Sequence, residues 1–319
     1  MNRLQTASLL AIIIIVIGTE TLLKHPADQS TAKNFIWQAP DIRMIPSSPA
    51  GDLIRYGREL IANTSFYLGP KGKIAHITNG MNCQNCHLDA GTRAWGNNYS
   101  GVFSTYPKFR ERSGAIENIA FRVNDCIMRS LNGRSLDSNS KEMQAIYRYM
   151  EWLGKNTPKG IKPAGAGIRD IPYIGRAADP QKGQIIFEQN CSSCHGINGE
   201  GRLNADSTKY TYPPLWGAHS YNTGAGLYRI SRFAGYVKEN MPYDSSQHTI
   251  HTKKLTDEQA WDVAAFVNSQ PRPDKVFEKD WPDISRKPFD YPTGPYSDSF
   301  SERQHKFGPF GPIYRSHHQ

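Results

Sequence analysis

Two short segments carry residue types whose spacing could do chemistry: Cys83-Gln84-Asn85-Cys86-His87 and Cys191-Ser192-Ser193-Cys194-His195. In each, two thiols separated by two residues are followed at once by an imidazole. The spacing C-x-x-C-H is that of covalent haem attachment. The thiols form thioethers with the porphyrin vinyl groups, and the adjacent histidine ligates the iron. A shared zinc site would gather four ligands from the two pairs, yet the pairs lie more than 100 residues apart and each has its own histidine. A redox dithiol of the thioredoxin kind would need a βαβ setting, which this pattern lacks. Two covalent haem c groups, each with its iron, are therefore expected. Cys83, Cys86, Cys191 and Cys194 are the attachment points, and His87 and His195 the proximal ligands.

The second iron ligands follow from a repeat. Asp179-Pro180 opens a helix that leads into the Cys191 motif, and Leu255-Thr256-Asp257-Glu258-Gln259 begins a closing helix with Thr256 as N-cap and Gln259 three residues on. Met241 is the only methionine after His195 and lies 46 residues beyond it, where small cytochromes c carry their distal ligand. The first half has the same plan, with a helix around Gly57 to Ile61 before the Cys83 motif and a closing helix through Met143, Ile146, Tyr149, Met150 and Trp152. There the matching place holds Cys126, 39 residues after His87. Cys126 is thus the distal-ligand candidate of the first haem, with Met128, Met143 and His76 as rivals. A thiolate ligand donates electron density, carries charge and lowers the potential. It also sets a sulfur nucleophile beside iron.

Residues 101–134 carry Lys108, Arg110, Arg112, Arg122, Arg129 and Arg134 against Glu111, Glu117 and Asp125. The stretch Ile116 to Leu131 reads as one helix with Ser113 as its cap. On it Arg122, Cys126 and Ser130 follow at four-residue steps and share a face, with Arg129 beside them. Guanidinium forks suit oxyanions. The local logic is a small anionic substrate whose reactive atom meets sulfur, and two haems suit a two-electron reaction passed on singly.

The elements that position these groups form a mainly α-helical chain of two cytochrome c-like domains, each binding one covalent haem, with the haems close together. Residues 31–153 are read as the first domain, 154–178 as a Gly- and Pro-rich linker, 179–271 as the second domain, and 272–319 as an extended wrapping tail. The chain has 319 residues and a formal charge of +9. It shows no zinc-finger spacing and no basic helix with a dimer seam, so no nucleic-acid partner is expected. At the N-terminus a short basic flank precedes the twelve-residue apolar run Ala7 to Gly18, which is signal-peptide length and short of the ~20 residues of a membrane span. Residues 1–30 are read as an export signal to the periplasm, or as an inner-membrane anchor extended through Leu22 and Leu23.

Several segments together resemble the dihaem thiosulfate dehydrogenases, whose relatives also work as tetrathionate reductases. They are Met81 to Thr92 (MNCQNCHLDAGT), Tyr106 to Arg134, Asn240-Met241-Pro242, Ala260 to Pro273 and Phe310-Gly311-Pro312-Ile313. The resemblance spans roughly residues 40 to 315 and includes the unusual cysteine. It implies His87/Cys126 ligation of an active-site haem and His195/Met241 ligation of an electron-transfer haem. It implies that Arg112 and Arg122 hold substrate, with Ser130 nearby, and that a sulfur adduct forms on Cys126. The implied reaction joins two thiosulfates into tetrathionate and releases two electrons, or runs in reverse. The implied electron partner is a small cytochrome c or a quinol-linked membrane system. Some family members have lysine before the distal methionine; here that residue is Asn240, as in members that run well as tetrathionate reductases. Three other readings compete, one of them a dihaem peroxidase, which would want an open iron in the place that Cys126 fills. A non-catalytic dihaem electron carrier leaves Cys126 and the arginines unused. The cysteine-ligated cytochrome of a multienzyme sulfur-oxidation system matches the remaining segments less well.

Overall fold

The structure, a computed structural model, describes residues 37–244, 249–250 and 255–317. The N-terminal apolar run, with its export-signal and anchor readings, lies outside the described residues. The chain is mainly α-helical and builds two cytochrome c-like halves, each around its own apolar core.

Helix α1 (Pro49–Ala62) opens the first half on Ser48, whose hydroxyl accepts the Gly51 N–H at 3.2 Å, with Pro49 in the first turn. Helix α4 (Pro180–Asn190) opens the second half in the same manner on Asp179. Each half closes on a helix: α3 (Lys141–Gly154), capped by Ser140, and α6 (Asp257–Ser269), whose Thr256 and Gln259 form the expected capping box. In both halves the opening helix crosses the closing helix at a glycine. A β-carbon on Gly57 would lie 2.0 Å from the Ala145 carbonyl oxygen, and one on Gly183 would lie 1.9 Å from that of Asp262. Only glycine permits this approach, so the repeat seen in the sequence is also a repeat in packing.

The segment from Ile116 to Leu131, expected as one helix, divides. Strands β1 (Lys108–Arg110) and β2 (Ala115–Glu117) pair antiparallel with Phe109 opposite Ile116. Helix α2 then runs only over Ile119–Arg129. Ser113 is not its cap. Asn118 is, accepting the Phe121 N–H at 2.8 Å, and Ser113 donates to Glu117 at 2.8 Å. The physical reason is local: Gly114 takes φ +61° and turns the chain, and Ile116 is β-branched and suits a strand.

Residues between the halves thread against both. Trp95 and Asn97 donate their N–H groups to Gly165 and Gly167, and the Trp261 indole donates to the Pro172 carbonyl. The tail is not extended throughout. It ends in α7 (Glu302–Phe307) and α8 (Phe310–Ser316), because Ser301 caps the first and Phe310 and Ile313 find places in the second core. Asp290, buried in the tail, accepts from Arg229 and from the Ser231 hydroxyl at the start of α5 (Ile230–Asn240). Burial works against that carboxylate, but Arg229 and Ser231 outweigh it and hold its pKa below the ordinary value.

Two outcomes are expected. Gly183→Ala overpacks the helix crossing and lowers unfolding stability by ~1–3 kcal/mol. Gly175→Ala, at an exposed site with nothing within 4 Å, changes it by less than ~0.5 kcal/mol; thermal unfolding of the two haem-loaded variants compares them. Asp290 has a folded-state pKa below its unfolded value, so its stabilisation is present above pH ~4 and is lost as pH falls below that. Asp290→Asn should lower the melting temperature at neutral pH and flatten its decline on acidification.

Candidate functional site

The first haem motif is held by asparagine clasps. Cys83–Asn85 forms a single 3-10 turn, in which the Asn82 N–H donates to the Asn85 side chain at 2.7 Å. Asn82 in turn accepts the Ser65 N–H at 2.8 Å, and Thr64 accepts that of Cys83 at 3.0 Å. His87 faces inward and stacks on Tyr99 with ring centroids 4.5 Å apart. Its Nδ1 lies 2.5 Å from the Asn97 carbonyl oxygen. The second motif uses the same device on a helical turn, Ser192–His195, where His195 Nδ1 lies 2.8 Å from the Pro213 carbonyl oxygen. A carbonyl partner requires the proton on Nδ1 and leaves Nε2 with a lone pair for iron. Burial keeps both imidazoles neutral, pushing His87 down to about 4 and lowering His195.

Each motif opens on a cavity. The first, of 330 Å³, is lined by Cys83, Cys86, His87 and the inward face of α2. The second, of 340 Å³, is lined by Cys191, Cys194, His195 and Met241. Asn82 and Cys86 line both, so one wall separates the two spaces. None of the five cysteines is paired in a disulfide, and burial raises Cys83 to about 11 and Cys86 and Cys191 to about 12. Thiols held together at the edge of a cavity, beside an imidazole with Nδ1 already satisfied, fit a covalently attached haem in each half. The chain carries two covalent haem c groups with their iron.

Arg122, Cys126 and Ser130 all line the first cavity, as their spacing on α2 implies. Ser130 is the C-cap of α2, donating its N–H to the Cys126 carbonyl at 2.8 Å. Arg112 reaches the same cavity from the turn between β1 and β2, and Arg229 and Arg232 reach it from the second half. The Arg122 guanidinium is raised above its ordinary pKa chiefly by the charge of Cys126. Arg112 is lowered by burial and by the neighbouring arginines Arg129 and Arg122, against the pull of Tyr291 and Asp125. The rival ligands lie elsewhere: Met143 is fully buried in the first core, His76 is exposed, and Met128 is engaged by the Ser135 hydroxyl. Met150, read from the sequence only as part of the closing helix, does line the cavity. Asn240 is fully buried, donating to the carbonyls of Trp95 and Tyr236 at 3.1 and 3.0 Å.

Sequence reasoning passed over Asp125. Its carboxylate is 5% exposed and bonds both Arg122 and Arg129. The available signal was its pattern, an acidic residue next to Cys126 with arginines three before and four after. Arg129 is equally buried and points away from the cavity to Asp280 in the tail.

Comparisons with known proteins agree with two cytochrome c halves. The family model for the SoxA/TsdA cytochrome c domain matches residues 73–158, and that for cytochrome c matches residues 180–271. The thiosulfate dehydrogenase of Psychrobacter arcticus is 36% identical over 258 residues, covering 80% of this chain and 74% of that protein. That of Allochromatium vinosum is 34% identical over 276 residues, covering 85% and 95%. The solved thiosulfate dehydrogenase (TsdBA) of Marichromatium purpuratum, in its as-isolated form, superposes with a TM-score of 0.69 at 30% identity. The match covers 76% of this chain and 51% of that longer one, so the present chain spans about half of it. Relatives at 34–36% identity, matched along most of their length, are thiosulfate dehydrogenases, and the chain belongs to the dihaem thiosulfate dehydrogenase family.

Proposed function

We propose that this chain interconverts thiosulfate and tetrathionate, with the chemistry in the first cavity and electron relay through the second. The observation that carries the reading is the convergence of Cys126, Arg122, Arg112 and Ser130 on the cavity that also holds Cys83, Cys86 and His87. When bound, the two haems supply one-electron chemistry that matches the two electrons released as the sulfur–sulfur bond forms.

The protein's own groups do the rest. Arg122 and Arg112 bind the oxyanion end of thiosulfate through forked N–H donors. Arg122 stands one helical turn from Cys126, so an anion held there has its outer sulfur directed to the Cys126 sulfur. Ser130, one turn further, offers a hydroxyl to a second oxygen. In this reading His87 and Cys126 ligate the first iron, and His195 and Met241 the second. Asn82 and Cys86, common to both cavity walls, keep the two centres near each other for transfer.

Electrons leave to a small cytochrome c or a quinol-linked partner. The site is periplasmic in this reading, supported by covalent haem attachment and by the N-terminal apolar run. Among the described residues no helix is long and apolar enough to cross a membrane. Asn240 supports a chain that works well in the tetrathionate-reducing direction, because it offers no lysine amine beside Met241.

Purified protein assayed in both directions tests the reading. Cys126→Gly should abolish turnover while both haems remain attached, as counted by haemochrome absorbance; retained turnover would overturn the assignment of Cys126. Arg122→Gln removes a charge-assisted contact of ~1.5–3 kcal/mol, so kcat/KM should fall about 10- to 100-fold. Absorption and potential of the second haem should stay unchanged in that variant.

A further inference from the structure

The reading of the first cavity as the thiosulfate site raises a positional problem. Arg112 and Arg122 come from different elements, a hairpin turn and a helix, yet must present two guanidinium groups to one small anion. Cations that close repel each other in a water-poor site. The structure answers with one carboxylate. Asp125 bonds the Arg122 guanidinium through Oδ2, and the same oxygen lies 3.8 Å from Arg112 Nη1. Its other oxygen accepts from Arg129 Nε.

Arg129 does not line the cavity. It forks onto Asp280 of the tail through two 2.7 Å hydrogen bonds and lies 3.7 Å over the Phe277 ring. The next residue, Trp281, donates its backbone N–H to the Arg112 carbonyl at 2.7 Å. The rings of Trp281 and Tyr291 lie 5.6 and 5.9 Å from the Arg112 guanidinium. Trp281 holds φ +60°, a conformation that a bulky side chain adopts only under constraint. The tail therefore grips both ends of the network, through Arg129 at one and through Arg112 at the other.

We propose that Asp125, with Arg129 clamped between it and Asp280, is a positioning residue that aims Arg112 and Arg122 into the cavity, so that the tail from Phe277 to Trp281 belongs to the substrate-binding machinery. Asp125 and Asp280 touch no substrate. They act through the arginines, and Asp280 acts from 154 residues further along the chain than Cys126.

The test is steady-state kinetics of haem-loaded Asp125→Asn, Asp280→Asn and the double variant, with thiosulfate binding to the fully reduced protein measured by calorimetry. Reduced protein cannot oxidise thiosulfate, so this reads binding without turnover. Each single variant should raise KM and Kd for thiosulfate about tenfold or more, with kcat changed much less. The double variant should be little worse than Asp125→Asn, since Asp280 acts on the cavity arginines through Arg129 and Asp125. Asp280→Asn lies outside α2 and carries the test alone if Asp125→Asn loses haem. Wild-type KM and Kd in Asp280→Asn, or a lower melting temperature with unchanged KM, would overturn the clamp while leaving the thiosulfate reading intact. A wild-type protein that neither binds nor turns over thiosulfate would overturn the reading of the cavity, and the clamp's role in binding thiosulfate with it.

Discussion

One buried carboxylate lets three arginines share a small volume beside the Cys126 sulfur. Asp125 bonds Arg122 and Arg129 and lies 3.8 Å from Arg112. Breaking a buried pair by removing one partner costs ~3–5 kcal/mol, because the remaining charge is left without compensation. The group it serves joins three parts of the chain: the β1–β2 turn, helix α2 and the tail. Arg112 and Arg129 also both donate to the Gly224 carbonyl of the second half, at 3.4 and 3.5 Å. Electrostatic balance around one residue thus holds the two halves and the tail in register.

Around that centre the two halves repeat one construction. An opening helix crosses a closing helix at a glycine, and a C-x-x-C-H turn sets an imidazole against a backbone carbonyl. The differences fall where the proposed functions differ. In the second half Met241 follows α5, in a wall of aromatic and aliphatic residues. In the first, Cys126 sits in mid-helix with Arg122 one turn before it. Neutral sulfur in an apolar wall suits electron relay; sulfur beside guanidinium suits chemistry on an anion.

The tail contacts both halves. Its last helices merely fill the second core with Phe310 and Ile313. Its earlier segment works at a distance from its anchor, reaching the first half with Asp280 and Trp281. Asp290 ties the stretch between to Arg229, itself on the wall of the first cavity. A tail of low periodicity therefore has its course set by ion pairs and ring stacking rather than by regular secondary structure.

What the sequence alone determined is the chemistry that depends on local spacing. The two haem motifs, the capping box at Thr256 and the common face of Arg122, Cys126 and Ser130 are all set by residues close in the chain, and Met241 and Cys126 line the two cavities. It missed where α2 begins, because Gly114 and Asn118 competed with Ser113 over a few residues and a small difference decided. It could not reach the partners of Asp125. From the sequence Arg129 stands beside the Arg122/Cys126/Ser130 face, until Asp280, 151 residues later, draws it away. Only the tertiary structure decided which arginines line the first cavity and which turn to the tail. A guanidinium's role is fixed by the carboxylate it meets in space, and nothing in local spacing encodes that meeting.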